Sequence, residues 1–367
     1  MKRPILHLIP NLTGGGMERR MGIITKETSS FFPIHIAYIS RGRNQKDIDL
    51  GKVRLHKIFS TSNYDLLIIL QILILIFRYR PIIIQTWSIQ MDIIGGLLSM
   101  LFKITHIMME PISPTESINK TFDLKLKFKE LIAFNSIVIS NSEGGRDFWK
   151  SQKVKKSLLI RNGFNIEQIT NVQGRLSSEL NSFLKGSEFI IVSSRLSKTS
   201  VHKRVDLVLE IFSKLIKVMP NLRLVICGGG ELEEKYLSLA SRYGVNSKVF
   251  FTGFLPREKL WSLFHKASLF ISLSRYEGMP NSVVEAAICK TPILLSKIDS
   301  HLEIIPEDLA YYINHYDSNY ISEIILEILR DNNKYSKKSD LLKEHVSIYS
   351  IKEMIKKYCE LYKDIYI

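Results

Sequence analysis

Ten short runs of β-branched and other apolar residues recur along this chain, each separated from the next by a stretch of helical periodicity. In the first half they fall at residues 5–9, 34–39, 82–86, 104–108 and 136–139, and in the second at 189–193, 223–227, 248–251, 269–273 and 292–295. A strand that is followed by a helix cannot pair with the next strand as a hairpin. It returns to the sheet through a helical crossover, which makes the sheet parallel and covers both of its faces. At 367 residues the chain is long for one such core and comfortable for two. The expected fold is therefore α/β, with two facing doubly wound parallel-sheet (Rossmann-like) domains. The expected boundaries are 1–170 for the N-terminal domain, 171–186 for a polar linker without periodicity, and 187–345 for the C-terminal domain. A last segment, 346–367, reads as an amphipathic helix, with Ile351, Met354, Ile355, Tyr358, Leu361, Tyr362 and Ile365 at helical spacing.

Charge and cysteine usage narrow the setting. Three cysteines, Cys227, Cys289 and Cys359, are odd in number and far apart. That speaks against a disulfide framework or a zinc site and for a reducing, cytoplasmic location. The opening apolar run is broken by Pro10 too soon for a secretory leader. The longest apolar run, 66–77, is interrupted only by Gln71 and falls short of the ~18 residues a spanning helix needs, so it is expected as a buried or interfacial helix. A net charge of +15 suits an anionic partner: nucleic acid, nucleotide phosphates or an acidic membrane face. Lysines cluster at 120–129, 150–156 and 352–363. Such runs are usually solvated faces, but the first two share the N-terminal half with the apolar helix. That combination is what a peripheral protein at the inner face of an anionic membrane would need. No helix-turn-helix, zinc or RNP-type motif is present, so nucleic acid is not the expected partner.

The segment Arg275-Tyr276-Glu277-Gly278-Met279-Pro280-Asn281-Ser282-Val283-Val284-Glu285 reads as strand end, Gly-Pro turn and helix, with one carboxylate on each side of the helix start. Helix-terminal amides and the positive end of the dipole suit a phosphate, and flanking carboxylates can accept hydrogen bonds from sugar hydroxyls. Ser282 to Glu285 also fits a capping box, which would make Glu285 purely local. Four more segments stand at strand ends. Gly14, Gly15 and Gly16 follow the first strand, without the spacing of a dinucleotide fingerprint or a P-loop. Ser193-Ser194-Arg195-Leu196 leads on to His202-Lys203-Arg204, and Cys227-Gly228-Gly229-Gly230 turns from a strand into a helix. Arg161-Asn162-Gly163-Phe164 closes the N-terminal half.

Taken together, these segments resemble the retaining nucleotide-sugar glycosyltransferases of family 4 (glycosyl transferases group 1), which have the GT-B fold. The resemblance is strongest from about 189 to 305. It implies that Gly14, Gly15 and Gly16 lie over the donor phosphates, and that Gly228, Gly229 and Phe254 lie near the nucleotide base. Glu285 would bind the ribose hydroxyls, and Gly278 with the amides of Met279, Asn281 and Ser282 would bind the diphosphate, Pro280 having no N–H to offer. Arg195 and Lys203 would neutralise the departing diphosphate, and Glu277 would hold the donor sugar. The spacing from Arg195 is longer than the family's, and Arg204 stands where glycine is common, so Lys198 competes with Lys203 for its role. Where relatives often carry a catalytic histidine this chain has Glu110-Pro111. Glu110 thereby becomes a candidate for donor or acceptor contact, while His106 reads as a core residue. No Asp-x-Asp motif stands at a strand end, so no metal and no cofactor are expected. The implied activity is hexosyl or N-acetylhexosaminyl transfer from a UDP-sugar to a glycan or a polyprenyl-diphosphate-linked oligosaccharide in bacterial surface-polysaccharide assembly. A nucleotide-sugar epimerase of the same fold and a non-catalytic basic scaffold are the alternatives.

Overall fold

Ile5–Leu12, the first strand (β1), is buried along nearly its whole length, as a strand is when helices cover both faces of a parallel sheet. The computed structural model describes residues 2–12, 16–41, 49–60, 65–110, 120–330 and 332–367, with only the backbone of 120–125 and 332–337. It divides into two units, Met1–Gly163 with Tyr349–Ile367 and Phe164–Ile348. In the first, β1 is followed by α1 (Gly16–Thr28), β2 (Ile34–Arg41), β3 (Val53–Lys57), α2 (Leu66–Tyr79), β4 (Ile83–Thr86) and α3 (Ile89–Phe102). Then come β5 (Thr105–Glu110), α4 (Lys120–Ala133), β6 (Ser136–Ser140), α5 (Glu143–Ser151) and β7 (Lys156–Leu159). The strands form one sheet in the order β3-β2-β1-β4-β5-β6-β7, every pair parallel.

Side chains of β1 alternate between two layers. Leu6 and Leu8 pack with Ile68, Ile72 and Ile76 of α2 and with Met91 and Leu98 of α3. Ile5 and Ile9 pack on the other face with Met21 and Ile24 of α1 and with Tyr358 and Tyr362 near the C-terminus. A one-residue slip of β1 would exchange these two sets, so the period-2 pattern fixes the register. Asp65 caps α2 by accepting from the Leu67 amide, and Ser88 caps α3 by accepting from Met91.

The second unit opens with α6 (Ile166–Thr170) and α7 (Ser178–Leu184), continues through β8 (Phe189–Ser193), α8 (Val205–Val218), β9 (Arg223–Cys227), α9 (Glu233–Arg242) and β10 (Val249–Phe251), and then α10 (Arg257–Phe264) and β11 (Leu269–Ser272). It closes with α11 (Asn281–Ile288), β12 (Ile293–Ser296), α12 (Asp299–Leu302), β13 (Tyr311–Ile313), α13 (Ser318–Arg330) and α14 (Asn332–Val346). Its sheet runs β10-β9-β8-β11-β12-β13, again parallel throughout. Val208, Ile211, Phe212 and Leu215 of α8, at helical spacing, bury against Ile190, Leu224 and Leu269 of the sheet and against Ile321 and Ile325 of α13. Full burial of one such aliphatic side chain contributes about 1.5–3 kcal/mol. The last helix, α15 (Ile351–Tyr366), belongs to the first unit. It is held there by Tyr362 Oη donating to Gln85 Oε1 at 2.6 Å and by Arg20 donating to Tyr358 Oη at 3.1 Å.

Each unit is thus a parallel-sheet, Rossmann-like α/β domain. The stretch 171–186, expected to be a plain linker, differs: it contains α7, capped by Ser177, with Leu176 and Leu180 buried. Gly174 lies so close to the Glu258 carbonyl that a Cβ would collide with it. This polar-looking stretch is packed chain of the second unit. Among the described residues no helix is long and apolar enough to cross a membrane.

Candidate functional site

In the second unit the ends of β8, β9 and β10 are fastened together by backbone hydrogen bonds. Ser194 N donates to Cys227 O at 2.9 Å, Leu196 N to Gly229 O at 3.1 Å, and Gly228 N to Gly253 O at 2.9 Å. Glycine is required where these loops touch. Gly228 (φ +124°) and Gly230 (φ +155°) adopt backbone that L-residues rarely reach, and a Cβ on either would run into the carbonyl of Ser194 or Leu196. Phe254, largely exposed, lays its ring against Gly229. We expect Gly228→Ala to lower the stability of this unit by on the order of 1–3 kcal/mol from φ alone, read as a lower thermal midpoint. A variant as stable as the wild type would show that the loops part without cost.

From β8 the chain enters a 3-10 turn, Lys198–Lys203, and Arg204, in the left-handed region at φ 55°, turns it into α8. The turn is tied to the segment after β11: Arg275 N donates to His202 O at 2.9 Å, and the His202 and Tyr276 rings stack at 4.2 Å. That tie brings Lys203 to Glu277, with Nζ 2.6 Å from Oε1, and Ser274 Oγ donates to the same oxygen at 2.7 Å. Burial alone would push the Glu277 carboxyl up. The Lys203 charge and the hydrogen bonds from Lys203 and Ser274 more than offset it, so its pKa is lowered and the group is ionised. Lys203, rather than its rival Lys198, therefore supplies the cation at Glu277. Lys198 uses its backbone amide, which donates to Glu231 Oε1 at 2.9 Å. Arg195 is exposed on the neighbouring loop.

Behind Glu277 stands a layer of polar groups that the sequence did not single out. Ser274 O accepts from Ser296 Oγ at 2.5 Å and from Tyr316 Oη at 3.1 Å. His301 is fully buried, its Nδ1 2.8 Å from Ser296 O. Burial pushes this imidazole below its usual range, leaving it neutral. These residues fix the Ser274 to Glu277 turn on which the carboxylate rides.

α11 begins at Asn281, with Pro280 as its cap and no side-chain cap bond. The amides of Val283 and Val284 both point back to Pro280 O. The capping-box alternative for Ser282 and Glu285 is thereby overturned, because Ser282 already lies inside the helix. Glu285 is buried on its inner face and forms an ion pair with Arg257 at the start of α10. Gly278 and Met279 make the turn between Glu277 and α11, and both are buried. No motif linked Arg257 to Glu285; only folding brings them together.

In the first unit Gly16 opens α1, whereas Gly14 and Gly15 lie outside the described residues. Glu110 ends β5 and is buried. Its Oε2 accepts from Lys129 Nζ at 2.8 Å and from Trp149 Nε1 at 3.2 Å. Lys129 also meets Asp92 at 3.0 Å, Asp92 accepts from Thr86 Oγ1 at 2.6 Å, and His106 joins Thr86 at 3.0 Å and Ser136 at 2.7 Å. Glu110 thus belongs to an internal polar network, and His106 is a hydrogen-bonded core residue of the same network. Among the described residues no group of three or more His, Cys, Asp or Glu is placed to hold a metal ion.

Residues 177–343 match the family model "Glycosyl transferases group 1". An uncharacterized glycosyltransferase of Methanocaldococcus jannaschii is 24% identical over 210 residues, 54% of this chain and 50% of that protein. The poly(ribitol-phosphate) alpha-N-acetylglucosaminyltransferase of Staphylococcus aureus is 22% identical over 206 residues, 55% of this chain and 41% of that protein. The matched stretch thus spans half or less of these curated relatives. Among solved structures, Anabaena HepE in complex with UDP-glucose superimposes with a TM-score of 0.81 at 17% identity, covering 99% of this chain and 100% of that one. At that identity the likeness shows the fold, two Rossmann-like domains as in GT-B glycosyltransferases.

Proposed function

We propose that this chain, whose residues 177–343 match the glycosyl transferases group 1 model, is a retaining glycosyltransferase that moves a sugar from a UDP-sugar to a glycan or a polyprenyl-diphosphate-linked oligosaccharide. The observation that carries this reading is the Lys203–Glu277–Ser274 contact beside the start of α11, with the β8 and β9 loops fastened next to it. Transfer breaks the bond between the anomeric carbon and the diphosphate oxygen, and the electron pair leaves with the diphosphate. The acceptor oxygen bonds to that carbon and gives up its proton to the departing group. Charge accumulates on the diphosphate, and fixed cations placed beforehand stabilise it most. Lys203 and Arg195 are those cations. Glu277, ionised and held by Ser274, orients the sugar hydroxyls so that the anomeric carbon faces the acceptor. Glu285, with Arg257 turned aside, receives the ribose hydroxyls. The printed names of relatives support the sugar chemistry: HepE is in complex with UDP-glucose, and the Staphylococcus enzyme is named for N-acetylglucosaminyl transfer and poly(ribitol-phosphate).

The test is a panel of nucleotide sugars read by thermal shift. A donor at about a hundred times its dissociation constant should stabilise the protein by roughly 2.7 kcal/mol, with UDP-glucose or UDP-N-acetylglucosamine giving the largest shift. Turnover should persist in EDTA. No stabilisation by any nucleotide sugar would overturn the reading, turnover lost to EDTA would overturn the metal-free site, and a new nucleotide sugar formed without acceptor would identify an epimerase.

A further inference from the structure

Helix α2 is apolar all the way round, yet only one of its faces is covered. Ile68, Ile72 and Ile76 bury against the sheet. The stripe Leu66, Leu70, Ile74 and Phe77, also at helical spacing, is 74%, 55%, 60% and 65% exposed. A helix of this composition is normally enclosed on every side. Its one polar side chain before Arg78 is used up within the fold: Gln71 accepts from Phe59 N at 2.9 Å and donates to Phe59 O at 2.7 Å, which seats the exposed Phe59 beside the stripe.

The apolar surface does not stop at α2. The Phe77 and Phe102 rings meet edge to face at 5.2 Å and join α2 to α3, where Leu97 and Leu101 are exposed. Gly96 of α3 lies so close to Ile132 of α4 that a Cβ would collide with it, α4 adds the exposed Leu131, and the exposed Phe134 follows in the turn after it. Three neighbouring helices on one face of the sheet thus present a joined apolar surface. Contiguous exposed apolar residues of this kind mark an interaction site.

Charge selects the occupant. Arg78, Arg80 and Lys103, all exposed, gather at the C-terminal ends of α2 and α3. The one carboxylate on those two helices, Asp92, is buried. A second copy of this face would set cation against cation. We infer that α2, α3 and α4 dock the protein on an anionic bilayer, the apolar stripe entering the acyl boundary and the basic rim meeting the headgroups. The inference gives the lipid-linked acceptor of the proposed function a surface on which to be met, but it stands on observations separate from the donor site.

The experiment is co-sedimentation of the full chain with vesicles of phosphatidylglycerol and phosphatidylcholine. Binding is expected on mixed vesicles, to weaken with added salt, and to be at least about fivefold weaker on phosphatidylcholine alone. Leu70→Ser with Ile74→Ser should lower partitioning about tenfold, and Arg78→Gln with Lys103→Asn about as much. Both double variants should keep the wild-type circular dichroism and the wild-type thermal shift with UDP-glucose. Absence of binding, equal binding by the Leu70/Ile74 variant, or a lipid-free dimer that this variant dissociates would overturn the inference, and equal binding to neutral vesicles would overturn the role of the basic rim. Because vesicle binding needs no donor, a lost vesicle response with an intact UDP-glucose shift sinks this inference alone, and the reverse sinks only the proposed transferase.

Discussion

Lys203→Ala is expected to lower kcat by about 10²–10³-fold, the usual effect of removing one preorganised charge-stabilising group from a transfer site. The Lys203 ammonium lies 2.6 Å from Glu277 Oε1, so its loss acts twice. In the proposed reaction the departing diphosphate would lose a cation, and the Glu277 carboxylate would lose its counter-charge. The second effect has a direction in pH. In the wild type, burial raises the Glu277 pKa, but Lys203 and Ser274 together bring it below its ordinary value. A carboxylate with a depressed pKa stays ionised until the pH falls through that low value, so the wild-type acid limb of kcat/KM should lie below the usual glutamate range. In Lys203→Ala burial is less opposed, the pKa rises, and the acid limb should move to higher pH. Lys203→Arg should keep the limb in place while recovering part of the rate. Steady-state kinetics across pH, with a UDP-sugar as donor, decides the matter. Unchanged kcat and an unmoved limb would show that this ion pair holds the fold and takes no part in transfer.

The pairing behind that prediction spans 74 residues of sequence. Strand-loop-helix patterns were enough to put Arg195 and Glu277 just beyond strand ends and Lys203 in the loop between β8 and α8, because the period of the apolar residues marks where a buried strand stops. They carried no signal that His202 would stack on Tyr276, or that Arg257 would reach Glu285. The sheets were legible for the same reason and illegible at their margins. β3, β7 and β13 lie at sheet edges, and Val-Arg-Leu-His-Lys or Lys-Ser-Leu-Leu, half exposed there, has no continuous apolar run to betray it. Charge misled most where it was most abundant. The lysines from 120 to 129 read as a solvated face, yet Lys129 is buried between two carboxylates, because helical spacing turns one member of the run inward onto β5.

That inward lysine carries the second large prediction. Lys129→Met should destabilise the first unit by about 3–5 kcal/mol, the cost of leaving buried charge without its partner. One ammonium here serves two carboxylates, Asp92 and Glu110, so the cluster holds an excess negative charge in the interior. Burial pushes Asp92 from an ordinary value of 3.8 up to about 6, against the opposing pull of Lys129 and of the Thr86 hydroxyl. Burial likewise works against the Lys129 charge, but the two carboxylates outweigh it and raise its pKa. For Asp92 the folded pKa exceeds the unfolded one, so the folded state binds the extra proton. The stability this confers is complete below about pH 4 and disappears as the pH rises through about 6. The first unit should accordingly gain stability between pH 7.5 and pH 5 through this group. Asp92→Asn, which stays neutral and can still accept from Thr86, should flatten that dependence. In Lys129→Met the isolated negative charge is relieved when Asp92 takes up its proton, so the deficit should shrink at pH 5. Trp87 and Trp149 lie in the first unit and Trp261 in the second, so urea unfolding followed by tryptophan fluorescence in a Trp261→Phe background reports the first unit without assuming that both units melt together. An unchanged midpoint for Lys129→Met at pH 7.5, or a deficit as large at pH 5, would show that water or neighbouring groups neutralise the two carboxylates without the lysine.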